Sequence, residues 1–202
     1  MTQGQILNND LLGQIIYNLT KREDINTIFE IGTWYGLGST KCVIDGIIDS
    51  KVNKNFISIE LYTEMFEIAK KNLESYLDYV KLLCSTIINY DDIFWFNFED
   101  LDQTQYLRQW YDDDTIRIKS AENLLTQVQD KIDLLILDGG EFSTYPEWLK
   151  LKNRSRIIVL DDTNVLKCKK IREELLSDSE YKVLFDEPFN RNGFSVFERV
   201  IN

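Results

Sequence analysis

Apolar positions along the chain fall into short runs that alternate with stretches of helical period. Leu11, Leu12, Ile15, Ile16 and Leu19 recur three and four residues apart, which predicts an N-terminal helix over Asn8 to Leu19. Thr27 to Ile31 reads as a first strand, and a helix beginning near Gly38 carries Val43, Ile44, Ile47 and Ile48. A second strand, Asn55 to Leu61, precedes a helix from Thr63 to about Ser75, and a third strand lies near Val80 to Ser85. Ile132 to Leu137 and Arg156 to Leu160 are unbroken apolar runs, as expected of parallel strands covered on both faces. A helix from about Asn164 to Ser177 follows. The last strands, Tyr181 to Phe185 and Phe194 to Val200, are joined through Asn190-Arg191-Asn192-Gly193, whose Asn-Gly ending favours a hairpin. This alternation predicts a three-layer, Rossmann-like α/β fold on a seven-stranded, mostly parallel sheet with a C-terminal antiparallel hairpin.

One stretch departs from the alternation. Ile87 to Lys131 is much longer than a usual connection. It opens with Tyr90, Phe94, Trp95, Phe96 and Phe98 and runs on through Tyr106, Trp110, Tyr111 and the acidic run Asp112-Asp113-Asp114. Helix is expected within it, chiefly over Ser120 to Gln129. The segment reads either as a substrate-recognition cap or subunit contact, or as an added helical layer on the core. No repeat and no Pro- or Gly-rich linker divides the 202 residues, so a single domain, 1–202, with segment 87–131 inserted is expected.

Composition narrows the chemistry. Hydrophobic content of 44% and charged content of 28% match an ordinary folded protein. Met1 to Asp10 lack the basic flank and apolar stretch of a signal peptide, and no apolar run approaches the roughly 18 residues of a membrane span, so a cytoplasmic location away from membranes is expected. A net charge of −11 argues against clasping nucleic acid and for a small neutral or cationic partner. Lys167, Lys169, Lys170 and Arg172 cluster on one helix and read as a solvated face. Three widely spaced cysteines suggest neither a disulfide framework nor a zinc site. The absence of histidine excludes a Ser-His-Asp triad and an imidazole base, which leaves acid–base work to carboxylates, lysine, tyrosine or a metal-bound group.

Two groups of residues carry candidate chemistry. The first is the turn Glu30-Ile31-Gly32-Thr33-Trp34-Tyr35-Gly36-Leu37-Gly38-Ser39, where the glycines let the backbone approach a ligand and the following helix offers free amides. Glu60 ends the second strand, where an acid can accept both hydroxyls of a ribose. The second group is the pair of strand ends Leu137-Asp138-Gly139-Gly140-Glu141 and Leu160-Asp161-Asp162-Thr163-Asn164. Carboxylates crowded there repel one another unless a cation compensates, and hard oxygen donors suit magnesium or calcium. In the plainer alternative, Asp162, Thr163 or Asn164 caps the following helix and Asp138 touches only cofactor or substrate.

The spacing E-x-G-x-x-x-G-x-G, with Glu60 and the terminal hairpin, resembles motif I of class I S-adenosylmethionine-dependent methyltransferases and departs from the G-x-G-x-x-G of nicotinamide-binding proteins. The resemblance implies that Glu30 faces the methionine end of the cofactor. Gly32, Gly36, Gly38 and Ser39 lie along it, Glu60 holds the ribose, and Ser85 stands where relatives contact adenine, without their usual acid. The second group resembles metal-dependent O-methyltransferases of the catechol and macrolide-sugar types. That implies Asp138, Asp161 and Asp162 as magnesium ligands. Glu141 departs from the pattern by standing where catechol-type enzymes carry a lysine base, so their mechanism does not transfer as it stands; Asp138 and Glu141 are the candidate catalytic residues, with the Glu141 carboxylate serving as base or binding an amine. The expected function is methyl transfer to a small-molecule acceptor, at oxygen, with self-association left open. Two alternatives remain: a nicotinamide-dependent oxidoreductase, and a non-catalytic binding or assembly module. A bulky residue at Gly36 is expected to separate the last, since only a catalytic protein would lose cofactor binding.

Overall fold

The computed structural model describes residues 6–94, 96 and 105–200; Trp95 and Phe98 lie outside the described residues. Its strands are β1 (Thr27–Ile31), β2 (Asn55–Glu60), β3 (Lys81–Cys84), β4 (Ile132–Leu137), β5 (Ser155–Asp161), β6 (Tyr181–Glu187) and β7 (Phe194–Arg199). They form one sheet in the order β3-β2-β1-β4-β5-β7-β6, in which β7 runs antiparallel to both neighbours. The helices are α1 (Leu11–Lys21), α2 (Ser39–Ser50), α3 (Thr63–Asn72), α4 (Gln105–Ser120), α5 (Thr144–Leu151) and α6 (Leu166–Ser177). None among the described residues is long and apolar enough to cross a membrane.

Strand side chains alternate between two cores, as a period of two requires. Ile28, Phe56, Leu134, Ile136, Ile157 and Val159 pack beneath α1 and α2. Phe29, Ile57, Leu135, Leu137, Ile158 and Leu160 pack on the other side against residues of α4, α5 and α6. Burying both faces explains the continuous apolar runs of β4 and β5, whose inner residues are almost entirely shielded.

The inserted segment differs from its expectation. Its helix is α4, which ends at Ser120, and the stretch expected to be helical, Ser120 to Gln129, is irregular apart from one 3-10 turn at Leu125–Gln127. Apolar spacing misled there because Leu124 is drawn onto the sheet edge, its N–H donating to Thr86 O at 2.8 Å beside the bridge Thr86–Asn123. In α4 the inward stripe includes Asp114, and a carboxylate in that row breaks the apolar period that would announce a helix. Helix α5 has no counterpart in the sequence expectations; Pro146 sits in its first turn, where a missing N–H costs nothing.

The sheet order reverses direction between β1 and β4, and such a switch point opens a crevice at the carboxyl ends of the strands. Parallel register aligns Ile31 with Leu137, Leu137 with Leu160, and Glu60 with Cys84. The chemistry-bearing residues that follow these rows therefore share one edge.

Candidate active site

A cavity of about 560 Å³ occupies that edge. Gly32, Gly38, Ser39, Glu60 and Ser85 line one part, and Asp138, Gly139, Gly140, Glu141 and Lys167 line another. Trp110, Asp113 and Asp114 of α4 also reach the wall, so the inserted segment contributes directly to the site. Asp114 is buried and accepts a hydrogen bond from Tyr62 Oη at 2.9 Å. Burial lifts its carboxyl to about 6, against the Tyr62 bond.

The glycine turn splits into two roles. Gly32 has φ +94, and a Cβ there would lie 2.1 Å from Asp138 O, so the β1 and β4 loops can meet only at a glycine. Gly36 also has positive φ, but it faces α3 and its neighbourhood. A Cβ there would meet Leu73 Cδ1 at 2.7 Å, and Gly36 is not among the cavity-lining residues. A bulky substitution at Gly36 consequently strains helix packing and does not separate catalysis from scaffolding, contrary to the sequence expectation.

Glu60 is aimed by the backbone. Its Oε2 accepts from Trp34 N at 2.7 Å and its Oε1 from Tyr62 N at 2.9 Å, and Trp34 adopts φ 50 to present that N–H. Each carboxylate oxygen keeps a further lone pair for a diol. Burial raises the Glu60 carboxyl above its ordinary range, opposed by the Tyr62 and Trp34 amides. Ser85 Oγ is buried on the cavity wall and has no hydrogen-bond partner among the described residues. Such an orphaned hydroxyl fits a polar ligand edge.

Glu30 is placed differently from a direct ligand. It is fully buried beneath the turn, accepts from Thr40 Oγ1 and Ser58 Oγ at 2.6 Å each, and does not line the cavity. Burial pushes its carboxyl up to about 7, with the Ser39, Ser58 and Thr40 hydroxyls pulling the other way. A glycine floor, a carboxylate with lone pairs to spare and an orphaned hydroxyl thus share one cavity, a set of groups that fits S-adenosylmethionine, while Glu30 lies beneath the turn.

Asp138, Asp161 and Asp162 do converge, each offering an oxygen within 4.8 Å of the others. Sequence reasoning missed what stands among them. Lys167 Nζ lies 2.6 Å from Asp138 Oδ1 and 2.7 Å from Asp162 Oδ2, and its side chain is buried. Arg191 Nη2 reaches Asp161 Oδ2 at 3.0 Å. Asp162 has φ 55, which turns its carboxylate back toward Lys167. Burial opposes ionisation of Asp162, but the Lys167 ammonium outweighs it and lowers the carboxyl. Burial and the neighbouring Asp138 and Asp162 charges raise Asp161 to about 7. Burial also raises Asp138, with Lys167 opposing. These residues do not fit a resident metal ion as they stand, because an ammonium already bridges two of the three carboxylates.

Glu141 lines the cavity while one oxygen accepts from Lys167 N at 3.3 Å, at the start of α6. Burial raises its carboxyl, with Lys167 opposing. Glu147 of α5 is a further lining acid that the sequence reading did not single out.

No protein-family profile matches the chain, and no curated protein sequence does. Solved structures do. A caffeoyl-CoA O-methyltransferase assigned as such in Staphylococcus aureus superposes with a TM-score of 0.64 at 14% identity, over 95% of this chain and 84% of that one. An O-methyltransferase from Bacillus cereus in complex with S-adenosylhomocysteine gives 0.60 at 15% identity, over 93% and 80%. A methyltransferase from Geobacter sulfurreducens gives 0.61 at 13% identity, over 94% and 78%. With the sheet order and the crevice already described, the chain has the fold of the class I S-adenosylmethionine-dependent methyltransferases.

Proposed function

We propose that the protein transfers a methyl group from S-adenosylmethionine to the oxygen of a small-molecule acceptor. The observation that carries this reading is the convergence of Gly32, Glu60 and Ser85 with Asp138 and Glu141 on one cavity. When bound, S-adenosylmethionine supplies an electrophilic methyl carbon on a positively charged sulfur. The chain's own part is alignment and proton removal, and alignment alone can account for much of such a rate enhancement. Asp138, fixed by Lys167, is placed to accept a hydrogen bond from the acceptor hydroxyl and orient it. Glu141, its carboxyl raised by burial, is placed to take the acceptor's proton. Asp138 would hold the acceptor oxygen in line and Glu141 would receive its proton, while the bound group would supply the methyl carbon and keep the electron pair of the broken carbon–sulfur bond on sulfur. An acceptor without extended negative charge suits walls that carry Asp113, Asp114, Glu141 and Glu147.

Calorimetric titration with S-adenosylmethionine and S-adenosylhomocysteine, with NADH as control, tests the reading. Micromolar binding of both sulfur ligands, lost in Glu60→Ala and absent for NADH, is expected on the order of −8 kcal/mol. Absence of binding by the wild type to either sulfur ligand would sink it, and tight NADH binding would favour the nicotinamide alternative.

A further inference from the structure

The Asp138–Asp161–Asp162 cluster has the oxygen geometry of a cation site and already contains a cation. Lys167 belongs to the first turn of α6, where the helix macrodipole disfavours positive charge. It is nevertheless only 7% exposed, and the carboxylates at 2.6 and 2.7 Å account for its placement. An ammonium has three N–H donors; two are directed at Asp138 and Asp162, and Lys167 is the one basic side chain among the described residues that line the cavity. Arg191 covers Asp161 from the hairpin loop, so two protein cations face three carboxylates.

We propose that Lys167 is the resident cation of this site, standing where a divalent ion would otherwise be held, and that its remaining N–H docks an electron-rich oxygen of the acceptor. The docking step rests on the methyl-transfer reading; the occupation of the cation position does not. A divalent ion can chelate two adjacent hydroxyls at once, whereas a single N–H holds one oxygen. The acceptor class that follows is therefore a compound presenting one hydroxyl beside Asp138, with no requirement for a vicinal diol.

Manganese titration followed by electron paramagnetic resonance tests this on the wild type, Lys167→Ala and Lys167→Gln, with S-adenosylhomocysteine binding and melting curves recorded on the same samples. The wild type is expected to show no saturable manganese site. Lys167→Ala, which vacates the position, is expected to bind one ion on the order of tenfold more tightly or better, since Asp138 and Asp162 then lack their ammonium. Saturable binding by the wild type in the micromolar range that magnesium competes away would overturn the proposal. So would a folded Lys167→Ala with no gain, because the cluster would then not be a cation site. If neither variant folds, the wild-type titration decides alone. Absence of S-adenosylhomocysteine binding by the wild type, with the manganese results as expected, would count against methyl transfer and leave the cation assignment standing. For the docking step, pyrocatechol with magnesium is expected to raise the wild-type melting temperature no more than phenol does; a magnesium-dependent rise with pyrocatechol overturns it.

Discussion

Glu147 is 3% exposed and its Oε2 has no partner among the described residues. Burial, with Asp114 and Glu60 nearby, raises its carboxyl from 4.5 to about 8, against a bond from Ser143. The folded state holds this proton more tightly than the unfolded chain, so the stabilising effect is complete below about 4.5 and is lost as pH rises through about 8. Glu30 and Asp161, each raised to about 7 mainly by burial, act in the same direction. Glu147→Gln keeps the shape and removes the titration. Its melting temperature is expected to fall less between pH 5 and pH 8 than that of the wild type, by roughly 3 °C or more. Parallel curves for the two proteins would show that Glu147 ionises freely in the folded state. The same burial makes Glu147 a hydrogen-bond donor at neutral pH, which gives the acidic cavity a proton to offer a ligand.

The hairpin loop shows how elements bring the site together. Thr163 N donates to Gly193 O at 3.0 Å and Asn164 N to Asn192 O at 2.9 Å, so the loop between β6 and β7 is laced to the turn between β5 and α6. Positive φ at Arg191 and Gly193 allows the tight path. Arg191 is thereby delivered to Asp161 and, at 3.4 Å, to Asp10 before α1. Arg191→Ala leaves the nearly inaccessible Asp161 without this partner and is expected to cost about 3 kcal/mol at pH 8. The cost should shrink at pH 5, where Asp161 holds its proton, and Arg191→Ala with Asp161→Asn should recover much of it. Urea denaturation of the four proteins at both pH values measures this; additive losses would show that the pair is uncoupled. Strand positions, the hairpin and the acids at strand ends were legible in the sequence because continuous apolar runs and turn chemistry are local properties. Lys167 was not, because a lysine in a charged helical stretch resembles a solvated face. The available signal was its position in a first turn, where a cation is disfavoured unless acids face it. Likewise α4 hid its register behind Asp114, whose partner Tyr62 is far away in the chain.

At the scale of the whole molecule, a net charge of −11 meets a cavity lined by Glu60, Asp113, Asp114, Asp138, Glu141 and Glu147 against Lys167. Walls of low dielectric focus such a field into the crevice. S-adenosylmethionine carries one more positive charge than S-adenosylhomocysteine, on the sulfur that loses the methyl. On the methyl-transfer reading, the field favours the substrate form of the cofactor, and the transfer itself removes the charge that the field holds. Screening separates this electrostatic part from the shared contacts of adenosine and methionine. The Debye length falls from about 30 Å at 0.01 M salt to about 10 Å at 0.1 M, so the affinity for S-adenosylmethionine is expected to weaken roughly threefold or more over that range. The affinity for S-adenosylhomocysteine, held by neutral contacts and a zwitterionic tail, should change little. Calorimetry of both ligands across the salt series gives the two slopes directly. Equal slopes would mean that the protonated state of Glu147 and Asp114, together with Lys167, has already neutralised the cavity, and that selection between substrate and product must come from contact with the methyl group itself.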